Sequence, residues 1–502
     1  MLGAVVSSHS TLRPRECSAA TGPSIAEVPG PSVEPVLRRV RSLLLAVDAD
    51  LDASELAPER SLTRDLGFDS VRLGALLDRI RQAFDDVDLT PWLIEAAQRG
   101  DDTIAGLAAA LAGSPARADY VALARELAAG FAPRAREYDE SGRFPHENFA
   151  ELVASGYTAM TVPRRHGGGG ASLEEVCRAQ EALATGCAST AFAVNMHIHG
   201  VALLSAAAGS TIEWAYEAIV REGALLAGGF SEPDVGGHWL RSTTRATPVP
   251  GGYRLRGTKG FFSGYPASGL VFLSAAIPDE RGVESPVGFL LPRPAAGIRV
   301  AAEWSAGGMR ATGSHTLEID DLHVASRYRI GAPGELPLLF MRACHWAWCS
   351  FAAVFVGIAG AALEHVAHSQ RRRTLQVVSG PLARLPGVQF RVAEMHVKLA
   401  AARACLYRAV RSVQDEPAAD PLAHYIDMSL MKTTVCRLAH EIVTLAVEVE
   451  GGSGYASVSP IQRMYRDVAA GLLVPPVTDV TLEWAGKQAL GIPVLGEPRW
   501  AV

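Results

Sequence analysis

Cysteine is sparse and unpaired in this sequence. Seven residues, Cys17, Cys177, Cys187, Cys344, Cys349, Cys405 and Cys436, are scattered through 502 positions without a CxxC pair or any zinc-ligand spacing. That pattern excludes a disulfide framework and a cysteine-ligated zinc module, and it suits a reducing cytoplasm. An excess of basic charge is missing as well. Lys and Arg number 47 against 53 Asp and Glu, a net charge of −6, which argues against a nucleic-acid coat and an anionic-membrane binder. No charge-free apolar run reaches the ~18 residues a membrane span needs. The richest run, AWCSFAAVFVGIAGAAL, is flanked by Arg342, His345 and Glu364 and reads as a buried core helix. The opening MLGAVVSSHSTLRPREC lacks the basic start of a signal peptide. RRHGGGGAS has the glycines of a phosphate loop without its Lys-Ser/Thr and reads as a plain loop. What remains is ordinary globular composition, 48% hydrophobic and 20% charged. At roughly 100–200 residues per domain the length allows two to four folded units, and the expected partner is a small molecule or a protein.

Composition divides the chain. Ser, Gly and Pro collect in SAATGPSIAEVPGPSVEP, so residues 1–32 read as a disordered lead-in. Apolar residues then recur at helical spacing in Val36, Leu37, Val40, Leu43, Leu44 and Val47, and again in Val71, Leu73, Leu76, Leu77 and Ile80. With TIAGLAAALA they make an all-helical unit over 33–112, and GSPAR follows as a linker. Helical periodicity dominates 118–225. Between 226 and 330 short runs such as GYRLRGTKGFF, GLVFLSAAI, VGFLLPR and HTLEIDDLHV, separated by Gly, Pro and Asp, predict a small β-domain. Long Ala-rich helical patterns return over 335–495.

Within the first unit, RDLGFDSVRL sets Asp69-Ser70 directly before a helical stripe, with Gly67 supplying a turn. A hydroxyl there is presented by a helix N-terminus, whose positive end favours a phosphate on that oxygen; as an isolated pair, Asp-Ser reads first as an N-cap, and the surrounding unit reverses this. An LGFDS element in a helical unit of this size resembles the acyl carrier protein family. The resemblance implies a four-helix bundle, Ser70 as the attachment point of 4′-phosphopantetheine with Asp69 as its companion, and a phosphopantetheinyl transferase and a loading enzyme as partners.

Four further segments stand in order: FSEPDVGG (230–237), GTKGFFSG (257–264), PLARLPGVQFRVAEM (381–395) and EGGSGYASVSPIQRMYRD (450–467). Together they resemble the acyl-CoA dehydrogenase family of flavoproteins. Gly237 and His238 replace the family's Ser-Asp after the first motif. The resemblance implies a mainly α fold with a central β-domain, in helical, β-barrel-like and helical layers. It also implies FAD and a homodimer or homotetramer. Carried over by position, Phe230 and Ser231 fall in the cofactor loop. Phe261 or Phe262 packs on the flavin, and Ser263 bonds its pyrimidine edge. Gln389, Gly451 and Gly452 contact the cofactor. The arginine expected six residues before Pro381 is Leu375, and Arg373 is the nearby substitute for holding the diphosphate.

Oxidising a saturated thioester to its α,β-enoyl form needs a carboxylate to remove the α-proton while a hydride leaves the β-carbon. The family glutamate, nine residues beyond the RD arginine, would fall at Pro475, counting from Arg466. An alternative family position on the core helix falls at Ser350, and 337–363 contains no Asp or Glu. Asp479 and Glu483 are the nearest acids downstream. Asp479 is the candidate base, with a helix N-cap as its plainer role. The missing glutamate opens a second chemistry, because relatives with this fold activate oxygen on reduced flavin without it. GMRATGSHTLEIDDLHV resembles that branch, and His197 or His199 of MHIHG is then a candidate proton donor, against the plainer reading of a core or surface histidine.

The expected function is therefore FAD-dependent α,β-dehydrogenation of an acyl or aminoacyl thioester carried on the chain's own arm, in cytoplasmic secondary metabolism and with an electron acceptor. The alternatives are a reduced-flavin-dependent monooxygenase served by a flavin reductase, and a non-catalytic carrier scaffold that docks partner enzymes. Tethering raises local substrate concentration into the millimolar range when the linker spans the sites, which is what a fusion would gain.

Overall fold

The computed structural model describes residues 33–48, 50–84, 87, 89–99, 102–112, 118–208, 212–233, 235, 242–278, 284–377, 379–415 and 420–495. The lead-in at 1–32, the GSPAR segment and Gly236, Gly237 and His238 lie outside them. The chain forms two compact units, 1–117 and 118–502.

In the first unit α1 (Val33–Val47), α2 (Ser70–Ala83), α3 (Thr90–Arg99) and α4 (Ile104–Leu111) appear among the described residues. The apolar stripes do the packing: Val40 and Leu44 of α1, Leu76 and Ile80 of α2, and Ile104, Leu107 and Leu111 of α4 share one core with Leu62 and Phe68. Each fully buried side chain of this size contributes roughly 1.5–3 kcal/mol. The loop before α2 is fixed to the start of α4, where the Asp102 carboxylate accepts from the Thr63 amide at 2.9 Å and from the Ser61 hydroxyl.

The second unit opens with α5 (Tyr120–Phe131), α6 (Ala135–Ser141), α7 (His146–Ala154), α8 (Leu173–Ala184), α9 (Ala188–Ala208) and α10 (Glu213–Glu222). Polar side chains start several of its helices. Asp119 caps α5, and Ser172 forms a capping box with Glu175 on α8. Among the described residues eight strands follow: β1 (Leu225–Gly229), β2 (Arg245–Val249), β3 (Gly252–Phe262), β4 (Ser268–Pro278), β5 (Glu284–Pro292), β6 (Ile298–Ala302), β7 (His315–Ala325) and β8 (Arg329–Ile330). They form one mixed sheet in the order β6-β7-β3-β2-β4-β5-β8, with β1 parallel to β4. The expected barrel-like sheet is thus an open one, ending at β6 and β8. It curves around an interior of Leu255, Phe262, Val271, Phe289, Leu317 and Val324. The outer face of β4 and β5 packs through Leu270, Phe272 and Leu290 on Val201, Leu204 and Ile219 of α9 and α10. With both faces covered, β4 reads from Leu270 to Ile277 as an apolar run interrupted at Ser274.

Helices return as α11 (Leu336–Arg372), α12 (Pro386–Asp415), α13 (Pro421–Glu450), α14 (Gly452–Tyr455), α15 (Pro460–Ala469) and α16 (Thr478–Ala489). Among the described residues, α11 is the one helix long and apolar enough to cross a membrane, and 83% of its most apolar window is buried inside the fold. It packs on α8, α9, α12 and α13. Gly357 permits the α8 crossing, because a Cβ there would overlap the carbonyl of Glu181.

Candidate functional site

In the first unit Ser70 is the first residue of α2 and is exposed. Its neighbour Asp69 is the N-cap, accepting from the amides of Val71 at 3.1 Å and Arg72 at 2.9 Å. Capping therefore falls to Asp69, and the Ser70 hydroxyl stands at the positive end of the helix facing water.

In the second unit the second and third motifs build one structure around β3. The β3 ladder with β7 pairs Lys259 with Leu317 and then Phe262 with His315, an irregularity that leaves Gly260 and Phe261 outside the regular pairing. Phe261 adopts φ 55, a left-handed conformation costly for an aromatic residue. The bulge aims neighbouring rings apart. Phe262 is fully buried in the sheet core, whereas Phe261 is 66% exposed with Trp304 edge-on at 5.9 Å. Of the two rings carried over from the family motif, Phe261 is the exposed one, and Phe262 is corrected to a core residue. Ser263 is buried, its hydroxyl 2.7 Å from that of Ser314. The Gly260 amide donates to the Ser231 carbonyl at 2.9 Å, joining the Phe230 loop to the bulge. Phe230 packs between Phe272 at 5.4 Å and Phe340 at 5.0 Å.

Beneath the bulge lies a buried ion pair that motif reading missed. Lys259 Nζ donates to Glu232 Oε1 and, at 2.9 Å, to Ser274 Oγ. The Glu232 carboxylate also accepts from the hydroxyls of Ser242 and Thr243, each at 2.6 Å. Burial would raise the Glu232 carboxyl, but Lys259 and these donors outweigh it and hold it down to about 2. Both residues sit inside quoted motifs, and the alternation of β3 was the available signal that Lys259 faces inward.

The RD motif fastens the 306–314 loop. Arg466 pairs with Asp139 through both terminal nitrogens and donates to the Gly307 carbonyl at 2.8 Å. Asp467 accepts from the Met309 amide at 2.6 Å, and burial pushes its carboxyl up to about 6. A Cβ at Gly308 would overlap the Arg466 carbonyl.

A further group forms where α11 ends. Arg373 donates to the Glu450 carbonyl at 2.9 Å and to Ser453 Oγ at 2.7 Å, so it meets the corner carrying Gly451 and Gly452. Arg373 is thereby engaged in holding that corner. Arg371 and Arg384, with Pro381, Ala383 and Gln389, line a cavity of about 540 Å³ instead. Gln389 is exposed and donates to the Ala383 carbonyl at 2.9 Å.

Two catalytic candidates fall away. His197 is buried, with Nε2 2.7 Å from the Thr158 carbonyl and Nδ1 accepting from the Leu226 amide at 2.8 Å. Both nitrogens are used, and burial holds the ring down to about 4 and neutral. It fastens α9 to β1 and cannot be the proton donor of an oxygen chemistry. Asp479 is exposed in the first turn of α16, whose N-cap is Val477. It is neither a cap nor the desolvated, oriented carboxylate that a base requires. Ser350 donates to the Trp346 carbonyl at 2.6 Å within α11. Among the described residues the buried carboxylates are Asp48, Glu232, Glu450 and Asp467. Each is engaged: Asp48 with Arg72, Glu232 with Lys259, Glu450 with Gln370 and Arg373, and Asp467 with Met309.

Two family models match the second unit: the acyl-CoA dehydrogenase N-terminal domain over residues 115–211 and the C-terminal domain over 349–473. YdbM of Bacillus subtilis (strain 168), assigned to the acyl-CoA dehydrogenases, is 30% identical over 378 residues, which is 72% of this chain and 94% of YdbM. The chain belongs to the acyl-CoA dehydrogenase family. Residues 1–114 precede both models. Among solved structures, butyryl-CoA dehydrogenase from Megasphaera elsdenii superposes with a TM-score of 0.67 at 24% identity, covering 74% of this chain and 97% of that one. FMN-bound TdsC from Paenibacillus sp. A11-2, a dibenzothiophene monooxygenase, does so with a TM-score of 0.68 at 25% identity, covering 76% and 99%. Dehydrogenases and monooxygenases of this fold therefore both lie near this chain.

Proposed function

We propose that this acyl-CoA dehydrogenase family member oxidises an acyl or aminoacyl thioester at its α,β-bond while the substrate hangs from phosphopantetheine on its own Ser70. The observation that carries the reading is the exposed Ser70 hydroxyl at the start of α2, in a compact unit that precedes the family-matched region. Carrier attachment needs an accessible hydroxyl and tolerance of phosphate charge, and a helix N-terminus offers both. The group would be loaded after a phosphopantetheinyl transferase has acted, within a secondary-metabolite assembly line.

Three features support FAD as the cofactor. Phe261 is turned outward beside Ser263 by a strained bulge. Gly451 and Gly452 have open space where a Cβ would stand, so backbone is accessible to a ligand. The guanidiniums of Arg371 and Arg384 edge a cavity with Gln389, a donor set suited to a diphosphate. Bound there, the flavin supplies the acceptor for the hydride lost from the β-carbon. The chain's part is to pack Phe261 on the ring, bond it through Ser263, hold phosphate with Arg371 and Arg384, and keep the Gly451 corner in place through Arg373. An external electron acceptor completes the cycle. The exposed Phe390 and Val397 on α12 support assembly into a dimer or tetramer, and the free thiols of the described cysteines support a cytoplasmic setting.

A second reading, a monooxygenase using reduced flavin from a reductase, is favoured by one observation: each buried carboxylate described has a partner and none is left as a base. The scaffold alternative requires a colourless protein that takes up no flavin. The test of the carrier reading is intact-protein mass after incubation with coenzyme A and a phosphopantetheinyl transferase. The wild type gains one phosphopantetheine and Ser70→Ala gains none; an unmodified wild type, or a modified Ser70→Ala, overturns it.

A further inference from the structure

Three hydroxyls form a buried chain behind the bulge. Ser263 Oγ is 2.7 Å from Ser314 Oγ, which is 2.7 Å from Thr312 Oγ1, which in turn lies 3.0 Å from the Met309 carbonyl. Ser263, Ser314 and Thr312 are 4%, 5% and 0% exposed, so bulk water does not compete along the chain. Each hydroxyl has one proton to give, whereas a carbonyl can only accept. That asymmetry at one end gives the chain a direction.

Three proton orders satisfy both hydroxyl–hydroxyl contacts; in one of them Ser314 accepts from both neighbours, which leaves Ser263 only lone pairs outward but gives up the bond to Met309. In the inward order Ser263 donates to Ser314, Ser314 to Thr312, and Thr312 to the Met309 carbonyl. All three protons are spent inside the protein and Ser263 offers only lone pairs outward. In the outward order Thr312 donates to Ser314 and Ser314 to Ser263, which leaves the Ser263 proton only the long 3.5 Å contact to the Phe261 carbonyl and gives up the bond to Met309. The inward order keeps the 3.0 Å bond to Met309 in place of that long contact. The Met309 carbonyl cannot turn to meet the other order. The Met309 amide is held by Asp467 at 2.6 Å, the Trp304 indole donates to its carbonyl at 2.8 Å, and Gly308 is pressed on Arg466. The Gly264 amide donates to the Thr312 carbonyl at 2.9 Å, tying the end of β3 to the same loop.

We propose that Thr312 and Ser314 are positioning residues that orient the Ser263 hydroxyl as a hydrogen-bond acceptor, so that the site holds reduced flavin more tightly than oxidised flavin. The proposal rests on the flavin reading above. The ring nitrogens that change on two-electron reduction are acceptors when oxidised and carry hydrogen when reduced. An acceptor hydroxyl therefore matches the reduced ring without cost, while the oxidised ring requires the chain to reverse and Met309 to lose a bond. A difference of one ordinary hydrogen bond corresponds to about a tenfold preference.

The test is the midpoint potential of flavin bound to the full chain, titrated spectroscopically for the wild type, Ser314→Ala, Ser314→Thr, Thr312→Val and Thr312→Ser. Ser314→Ala and Thr312→Val release Ser263 from its direction and lower the potential by about 30 mV, the tenfold change for a two-electron couple. Ser314→Thr and Thr312→Ser retain hydroxyls and stay within a few millivolts of the wild type, which separates direction from mere packing. Flavin-loaded Ser314→Ala and Thr312→Val at the wild-type potential would overturn the proposal while leaving the flavin reading intact. A wild-type chain that takes up no flavin would overturn both. Should Ser314→Ala fail to fold, Thr312→Val with its Thr312→Ser control decides the matter.

Discussion

Replacing Lys259 with methionine removes a charge from the middle of the sheet while keeping a side chain of similar length. Both members of the Lys259–Glu232 pair are fully buried at the side chain. Without the ammonium, the Glu232 carboxylate keeps neutral donors, the Ser242 and Thr243 hydroxyls at 2.6 Å and the backbone amides of Thr243 and Thr244, but no counter-charge. An uncompensated buried charge of this kind costs about 3–5 kcal/mol, whereas an apolar or neutral replacement of both partners is often close to neutral. Urea unfolding of Lys259→Met should therefore show a loss of about 3–5 kcal/mol in the transition of the second unit, and Lys259→Met/Glu232→Gln should regain most of it. The acid side has a defined sign too. Glu232 titrates at about 2 in the fold against an ordinary 4.5, so its contribution is complete above pH 4.5 and is lost as the pH falls through 2. A single variant within about 1 kcal/mol of wild type, or a double variant no more stable than the single, would refute the account of this pair.

Three further outcomes follow from the same geometry. His197, His199 and His345 are all held at about 4 by burial against an ordinary 6.5. Unfolding therefore takes up protons between those values, and urea midpoints should fall as the pH drops from 6.5 towards 4; a flat profile contradicts the burial assigned to them. Gly308→Ala should cost about 1–3 kcal/mol, because its Cβ would overlap the Arg466 carbonyl and push the 306–314 loop off α15. Thermal unfolding equal to wild type would count against that contact. Asp479→Asn should leave turnover nearly unchanged, since the side chain is exposed in the first turn of α16; a fall of the ~10²–10⁴-fold typical of a lost general base would restore it as the base.

Periodicity reached the architecture where one face or all faces of an element were apolar. The runs in β3, β4, β5 and β7 alternate or stay largely apolar, and the middle of α11, Ala347 to Leu363, is apolar all round, so each reads from its own residues. β2 did not: RATPV is five residues with a proline, and it is a strand because β3 and β4 flank it. At the site, Ser70 was legible because a turn, an acid and a hydroxyl precede a helical stripe within a few residues. The role of Phe261 was not, because it depends on the pairing irregularity between β3 and β7 beyond Lys259. His197 looked available as a histidine on a helix. Its two backbone partners come from residues 158 and 226, which periodicity within α9 cannot bring into view. The hydroxyl chain was hidden for the same reason, since Ser263 and Ser314 meet only through the register of two strands.

The central claim is that the family domain dehydrogenates a group tethered to Ser70 of the same protein, and intact-protein mass of the acyl-loaded, phosphopantetheinylated chain tests it most directly. Under nitrogen, with an added electron acceptor and no reduced flavin, the account predicts that the loaded arm loses two hydrogens. A loaded arm of unchanged mass under these conditions, or one that gains an oxygen atom only with reduced flavin and air, would contradict it.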